Sequence, residues 1–321
     1  MDYLLIGFIL LLFFFANYIF QNLRIPALLA YIFLGIALSA LLTADISNLV
    51  SHIGDLGIML LFFLLGLDYS LNQLINISRK IWQVGSMDVL LNFGVSFLMS
   101  FYIFGFDIFA SLIIGGVAYA TSSSITIKML EDTGRDNSPE AEFKVGLLIF
   151  EDIVAPIFIS FMVGFSVVGS ISGGEVALIS LKLVIILLIS ILLAVYGFRK
   201  LELFFTRYIS KDFIFILSLA IAFLLSGLAI YLDLSKLLGA FLAGVMLSET
   251  PASGELRRMV TPLKNAALPF FFFWFGTSIT YDTGIMAPGF LAILILWGLI
   301  AKVLVGFFGG RIYGLTWKGS L

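Results

Sequence analysis

The chain has no cysteine, one histidine and few charges. Without cysteine there are no disulfides, thiol nucleophiles or thiolate metal sites. Asp, Glu, Lys and Arg make up 12% of the 321 residues, against roughly 25% in a soluble domain. No stretch is long and polar enough to form a soluble domain. A net charge of −2 excludes a nucleic-acid surface as the main theme. No phosphate loop, zinc pattern or nucleophile elbow occurs, so no cofactor is implied. Met1-Asp2-Tyr3 lacks the basic start of a secretory signal, and the first apolar run reads as a retained span.

What is plentiful is hydrocarbon. Hydrophobic residues are 61% of the chain and the mean hydropathy is +1.14. With no alternating-polarity hairpins to suggest a barrel, this is an all-α polytopic membrane protein. A span needs about 20 apolar residues. Eleven stretches qualify: 3–20, 26–43, 55–73, 82–104, 108–129, 144–168, 175–198, 212–232, 235–250, 263–280 and 288–312. Of the 18 basic residues, all but Lys182, Lys236 and Lys302 fall in alternate loops or at the C-terminal end. The positive-inside rule then puts the N-terminus outside and the end of the eleventh helix in the cytoplasm.

An internal repeat is visible. Leu28–Leu38 resembles Leu237–Leu247, and each is followed by a Phe-rich run closing in glycine, at Gly66 and at Gly276. The loop charges give the two copies opposite topology, as in inverted-repeat transporters. Close packing at glycine is the competing reading. By this repeat, the second unit lacks its last two helices.

Glu151 and Asp152 stand side by side in the sixth span, four residues before Pro156. An ionisable group in a span is a functional hypothesis by default. Adjacent residues point about 100° apart on a helix, so the two acids need not share a task. Pro156 has no N–H, so the Asp152 carbonyl loses its helical donor, which adds an acceptor beside a carboxylate. Lys302 lies near the middle of the last span, where its ammonium calls for a carboxylate. A Glu151–Lys302 pair would leave Asp152 unpaired and exchangeable. In the fifth span, Ala120-Thr121-Ser122-Ser123-Ser124 favours a break, since consecutive hydroxyls compete for backbone bonds. A broken helix at membrane depth presents backbone groups to an ion. Bonding of those hydroxyls back to an unbroken helix is the alternative. Asp88, Asn92, Asp68 and Glu249 read as funnel or interface residues. Lys182 is expected to reach the outer interface near Glu175, and His52 to lie solvated in a short outer loop.

Together, Ala120-Thr121-Ser122, Glu151-Asp152, Lys302 and Gly239-Ala240-Phe241-Leu242-Ala243-Gly244 resemble the monovalent cation:proton antiporter superfamily, on the branch of bacterial sodium/proton and glutathione-gated potassium/proton exchangers. The resemblance covers essentially the whole chain. It implies an inverted-repeat fold of thirteen helices, about eleven of them present here, within one transmembrane domain spanning 1–321. It implies panel helices at about 3–73 and 212–280, core helices at about 82–168 and 288–312, and a linker helix at about 175–198. It further implies an elevator-like motion, a homodimer in a bacterial or archaeal plasma membrane, and a cytoplasmic regulatory domain that this chain does not include. Glutamate at position 151, where the family usually has Asp, Asn or Gln, leaves electrogenic and electroneutral exchange both open.

The expected mechanism is competition. Asp152 binds either H⁺ or a Na⁺ or K⁺ ion, helped by Thr121, Ser122 and Ser123, with Glu151 as a second exchanging group and Lys302 as its charge partner. A channel would need a continuous polar path. An intramembrane protease would draw its acids from separate segments. A sodium-coupled symporter of the same architecture would have no need of the core lysine.

Overall fold

The computed structural model describes residues 2–22, 26–39, 42–69, 81–122, 126, 130, 138–168, 173–193, 211–248, 250, 252–279, 288–317 and 319. These residues form helices and no strands. The first three are α1 (Asp2–Asn22), α2 (Ala27–Leu38) and α3 (Ala44–Leu67). Helix α4 covers Ile81–Ile103 and contains two π turns, Val89–Gly94 and Met99–Ile103. Then come α5 (Ile108–Tyr119), α6 (Pro139–Val168), α7 (Gly173–Leu192), α8 (Lys211–Tyr231), α9 (Lys236–Ser248) and α10 (Ser253–Thr277). Helix α11 runs from Pro288 to Leu304 and continues through a π turn, Val305–Gly309, into Gly310–Tyr313. Each expected span is therefore a helix. Among the described residues, six helices are long and apolar enough to cross a membrane.

Three boundaries differ from expectation by ten residues or more: the starts of α3 and α10 and the end of α5, with α10 beginning at Ser253 and not at 263. Helix α3 begins at Ala44, eleven residues before the expected start, because nothing between Asp45 and Leu67 breaks a helix. His52 therefore sits on this helix and not in a loop; it is exposed, with its Nδ1 2.6 Å from the Asn48 carbonyl. Helix α5 stops at Tyr119, far short of residue 129, and Ala120 is extended at φ −64°, ψ 130°. The helical bond resumes at Thr126, whose N–H and hydroxyl both donate to the Ser122 carbonyl at 3.1 Å. The hydroxyl cluster thus follows a broken helix.

The chain divides into two compact units. The first holds residues 1–68, 188–228 and 239–284. Glycines bring its backbones into contact. A Cβ on Gly35 would collide with the Phe273 carbonyl and lie 2.9 Å from the Gly276 Cα; a Cβ on Gly276 would collide with the Ile32 carbonyl and lie 3.1 Å from the Gly35 Cα. A Cβ on Gly66 or on Gly244 would repeat this geometry, colliding with the Phe241 or Phe63 carbonyl and lying 3.0 or 2.9 Å from the other glycine's Cα. Gly35 and Gly244 are equivalent in the repeat, as are Gly66 and Gly276. Helix α2 thus meets α10 as α9 meets α3. Phe13 packs edge-on against Tyr31, Phe270 and Phe273 at 5.1, 5.1 and 5.5 Å. Asp68, just past α3, forms an ion pair with Arg257.

The second unit holds residues 69–187, 229–238 and 285–321. Its core includes Ile81, Val84, Phe143, Leu147, Phe150 and Val305. The first π turn of α4 has a visible consequence. The Val95 N–H reaches back five residues to the Leu90 carbonyl. That leaves the Leu91 carbonyl to accept from the Trp297 indole at 3.0 Å, tying α4 to α11. Lys182 binds Asp233 at 2.7 Å, in the turn between α8 and α9.

Candidate cation and proton site

Four helices of the second unit build the site. Helix α6 supplies Glu151 and Asp152, α11 supplies Lys302, α4 supplies Asp88, and α5 ends against them. The Lys302 ammonium lies 3.0 Å from Glu151 Oε1 and 3.3 and 3.5 Å from the Asp88 carboxylate oxygens. It also donates to the Tyr119 carbonyl at 3.2 Å. An ammonium has three donors, so these acceptors use its capacity. Tyr119 is the last residue of α5, where carbonyls lack helical partners and the dipole end is negative. The break in α5 thus gives the cation a binding group that a continuous helix would withhold. The Tyr119 ring also faces Lys302, 5.6 Å from its centroid.

Asp88 is the residue that the sequence reading misplaced. It is no funnel residue. It is fully buried, contacts Lys302, and accepts from Asn92 Nδ2 at 2.7 Å. Glu151 is 5% exposed, and its Oε2 has no hydrogen-bond partner among the described residues. Two carboxylates around one ammonium leave one negative charge in excess. Lys144 sits nearby on α6. With Thr121, Thr126, Leu147, Glu151 and Lys302 it lines a small cavity of about 30 Å³, close to the volume of one water molecule.

Asp152 points elsewhere. It is half-buried and accepts from the Tyr69 hydroxyl at 2.9 Å, so it is not left without a partner. A hydrogen bond to a charged group contributes about 1.5–3 kcal/mol. Tyr69 follows directly on α3, and only the fold brings it to an acid 83 positions away. Asp152 lines a cavity of about 860 Å³ with Thr121, Gly116, Ala155, Phe158 and others. The cavity runs along α6 from Glu151 to Ser166 and along α5 back to Phe109. The Thr121 hydroxyl is buried and without a partner among the described residues. Ser122 is exposed, and its carbonyl is already used by Thr126. Pro156 lies buried within α6. Ser123 and Glu249 lie outside the described residues. Among the described residues, no group of three or more His, Cys, Asp or Glu side chains could hold a resident metal ion.

One acid is thus committed to a lysine, and its neighbour faces a cavity beside a broken helix. The family model for the sodium/hydrogen exchanger, transmembrane, matches residues 9–321. The chain belongs to this family. It is 45% identical over 315 residues to the ammonium/H(+) antiporter subunit AmhT of Alkalihalophilus pseudofirmus, covering 98% of this exchanger and 80% of that protein. It is 32% identical over 281 residues to the K(+)/H(+) antiporter subunit KhtU of Bacillus subtilis, covering 85% and 67%. The solved structure of the sodium proton antiporter MjNhaP1 from Methanocaldococcus jannaschii at pH 8 shares its fold. That match has a TM-score of 0.74 and 15% identity, over all of this chain and 83% of the other. The exchanger is therefore an integral membrane protein with the inverted-repeat antiporter fold.

Proposed function

We propose that this protein exchanges a monovalent cation for H⁺ across the membrane, and that Asp152 is the group for which the two compete. One observation carries the assignment: Lys302 is engaged by Glu151, Asp88 and the end of α5, while Asp152 lines the large cavity. Ionised, Asp152 binds a cation with the Thr121 hydroxyl; protonated, it is neutral. Moving a bare carboxylate into low dielectric costs several kcal/mol, so only the two loaded forms cross readily. Glu151 serves as the charge partner of Lys302. The name of its 45%-identical relative adds ammonium to Na⁺ and K⁺ as candidate substrates.

The first compact unit serves as the panel and the second as the moving core. The N-terminus lies outside and two copies pair, in keeping with the loop charges and the family architecture. The deciding measurement is proton flux in proteoliposomes of the full-length protein against Na⁺, K⁺ and NH₄⁺. Asp152→Asn should abolish cation-driven flux while the protein stays folded. Wild-type flux from that variant would remove Asp152 from the mechanism.

A further inference from the structure

Helix α4 carries a feature that the exchange reaction leaves unused. Asp88, Asn92, Ser96 and Ser100 recur every four residues, and all four are fully buried. They occupy about 18 Å of helix, more than half of a hydrocarbon core about 30 Å thick. Serines in apolar helices ordinarily bond back to their own backbone, and Ser100 does so, reaching the Ser96 carbonyl at 2.7 Å. Ser96 and Asn92 do not. The Ser96 hydroxyl and Asn92 Oδ1 are sealed from solvent with no partner among the described residues. The Asn92 amide cannot be turned around, because its nitrogen must face the Asp88 carboxylate. Two unpartnered polar atoms one turn apart, on a face that is polar for about three turns, mark a place where buried water is held.

We propose that α4 carries a file of bound water from Asp88 to the Ile103 end of the helix, and that protons reach the Lys302 cluster along this file, separately from the cavity at Asp152. The first water bridges Asn92 Oδ1 and the Ser96 hydroxyl. A proton entering at the Ser100 end forms one O–H bond on each water as another breaks. The file ends unchanged, and the carboxylate of Asp88 gains the proton. The groups facing Asp88 are Lys302 on α11, Glu151 on α6 and Tyr119 on α5, with Lys144 beyond Glu151. On this arrangement Lys302 keeps Glu151 as its partner while Asp88 is neutral. The file would supply a second proton per cycle, and so bears on stoichiometry. The proposal rests on Asp152 being the cation site.

Full-length protein in proteoliposomes separates the two ideas. Isotopic cation counterflow at equal pH on both sides needs only the Asp152 site. The proton-to-cation ratio, read from the membrane potential at which pH-driven uptake reverses, counts protons carried in addition to the one at Asp152. Ser96→Ala removes one hydroxyl and nothing that Asp152 touches. It should leave counterflow unchanged and lower that ratio from two toward one. Ser96→Thr, which keeps the hydroxyl, should restore the wild-type ratio. A wild-type ratio in Ser96→Ala overturns the file. So does a parallel fall in counterflow and uptake, which would make Ser96 a packing residue. Asp152→Asn should abolish both assays. If it abolishes neither, the cation site is misassigned, whatever Ser96 does. A high-resolution experimental map that resolves other buried waters should show density between Asn92 Oδ1 and Ser96 Oγ, and an empty gap there would count against the proposal.

Discussion

Removing the Lys302 ammonium tests the charge cluster most directly. Lys302→Met keeps a long apolar side chain but takes the cation away from two carboxylates. These are Glu151, 5% exposed and 3.0 Å away, and Asp88, fully buried at 3.3 and 3.5 Å. Breaking a buried ion pair from one side costs about 3–5 kcal/mol, because the remaining charge is stranded. At this chain length that corresponds to a fall in Tm of about 5–10 °C. The four tryptophans provide a fluorescence signal for thermal unfolding of the solubilised full-length protein. The loss should be larger at pH 8 than at pH 5, since only ionised acids are stranded and protons relieve them. Neutralising both acids in the same background, with Asp88→Asn and Glu151→Gln, should recover most of the stability. The recovery is the decisive arm. A lysine that only fills space would give the same loss at both pH values and no rescue. A Lys302→Met variant that melts with the wild type would refute the reasoning outright.

Other expectations follow from single contacts. Tyr69→Phe deletes the hydroxyl that donates to Asp152 at 2.9 Å. It should shift the pH profile and cation KM of exchange more than its maximal rate, as transport kinetics will register. Gly66→Ala places a methyl against the Phe241 carbonyl and Gly244, so thermal unfolding should show a loss of about 1–3 kcal/mol. Gly227→Ala, with open space around it, is the matched control and should lose no stability. Lys182→Ala removes the partly exposed pair with Asp233 and should cost about 0.2–1 kcal/mol, falling further at high salt.

Much of the fold is written in one-dimensional signals. Eleven apolar runs give the helices. The acid pair, the deep lysine and the hydroxyl-rich stretch stand out because hydrocarbon tolerates none of them without reason. What the sequence withholds is facing. Asp88 lies 214 positions from Lys302, and nothing in its own helix says which neighbour it meets. Its partner Asn92 was visible only as another embedded polar residue. Tyr69 looks like a helix-end tyrosine until its hydroxyl is found on Asp152. The start of α3 was missed for a different reason. The polar residues between Asp45 and Asp55 lower the local hydropathy, so a hydropathy window begins the span late while the backbone stays helical.

The glycines show how one signal can carry two meanings without conflict. Read singly, Gly35, Gly66, Gly244 and Gly276 mark either tight packing or a repeat. In the structure they are both, because packing is how the repeat closes. Each glycine meets the one that is not its repeat equivalent: a Cβ on any of the four would make the same carbonyl collision and lie nearly the same distance from the facing glycine's Cα, 2.9–3.1 Å. Duplication alone would have made two similar copies. Reciprocal contact requires that each copy's first helix fit the other copy's second, which a twofold relation between the copies provides. A methyl at one of these positions would then push apart only one of two equivalent crossings. Gly35→Ala and Gly66→Ala should therefore cost similar amounts, and the double variant should approach their sum if the crossings are independent. A double variant no worse than either single would mean that the two crossings open together as one unit.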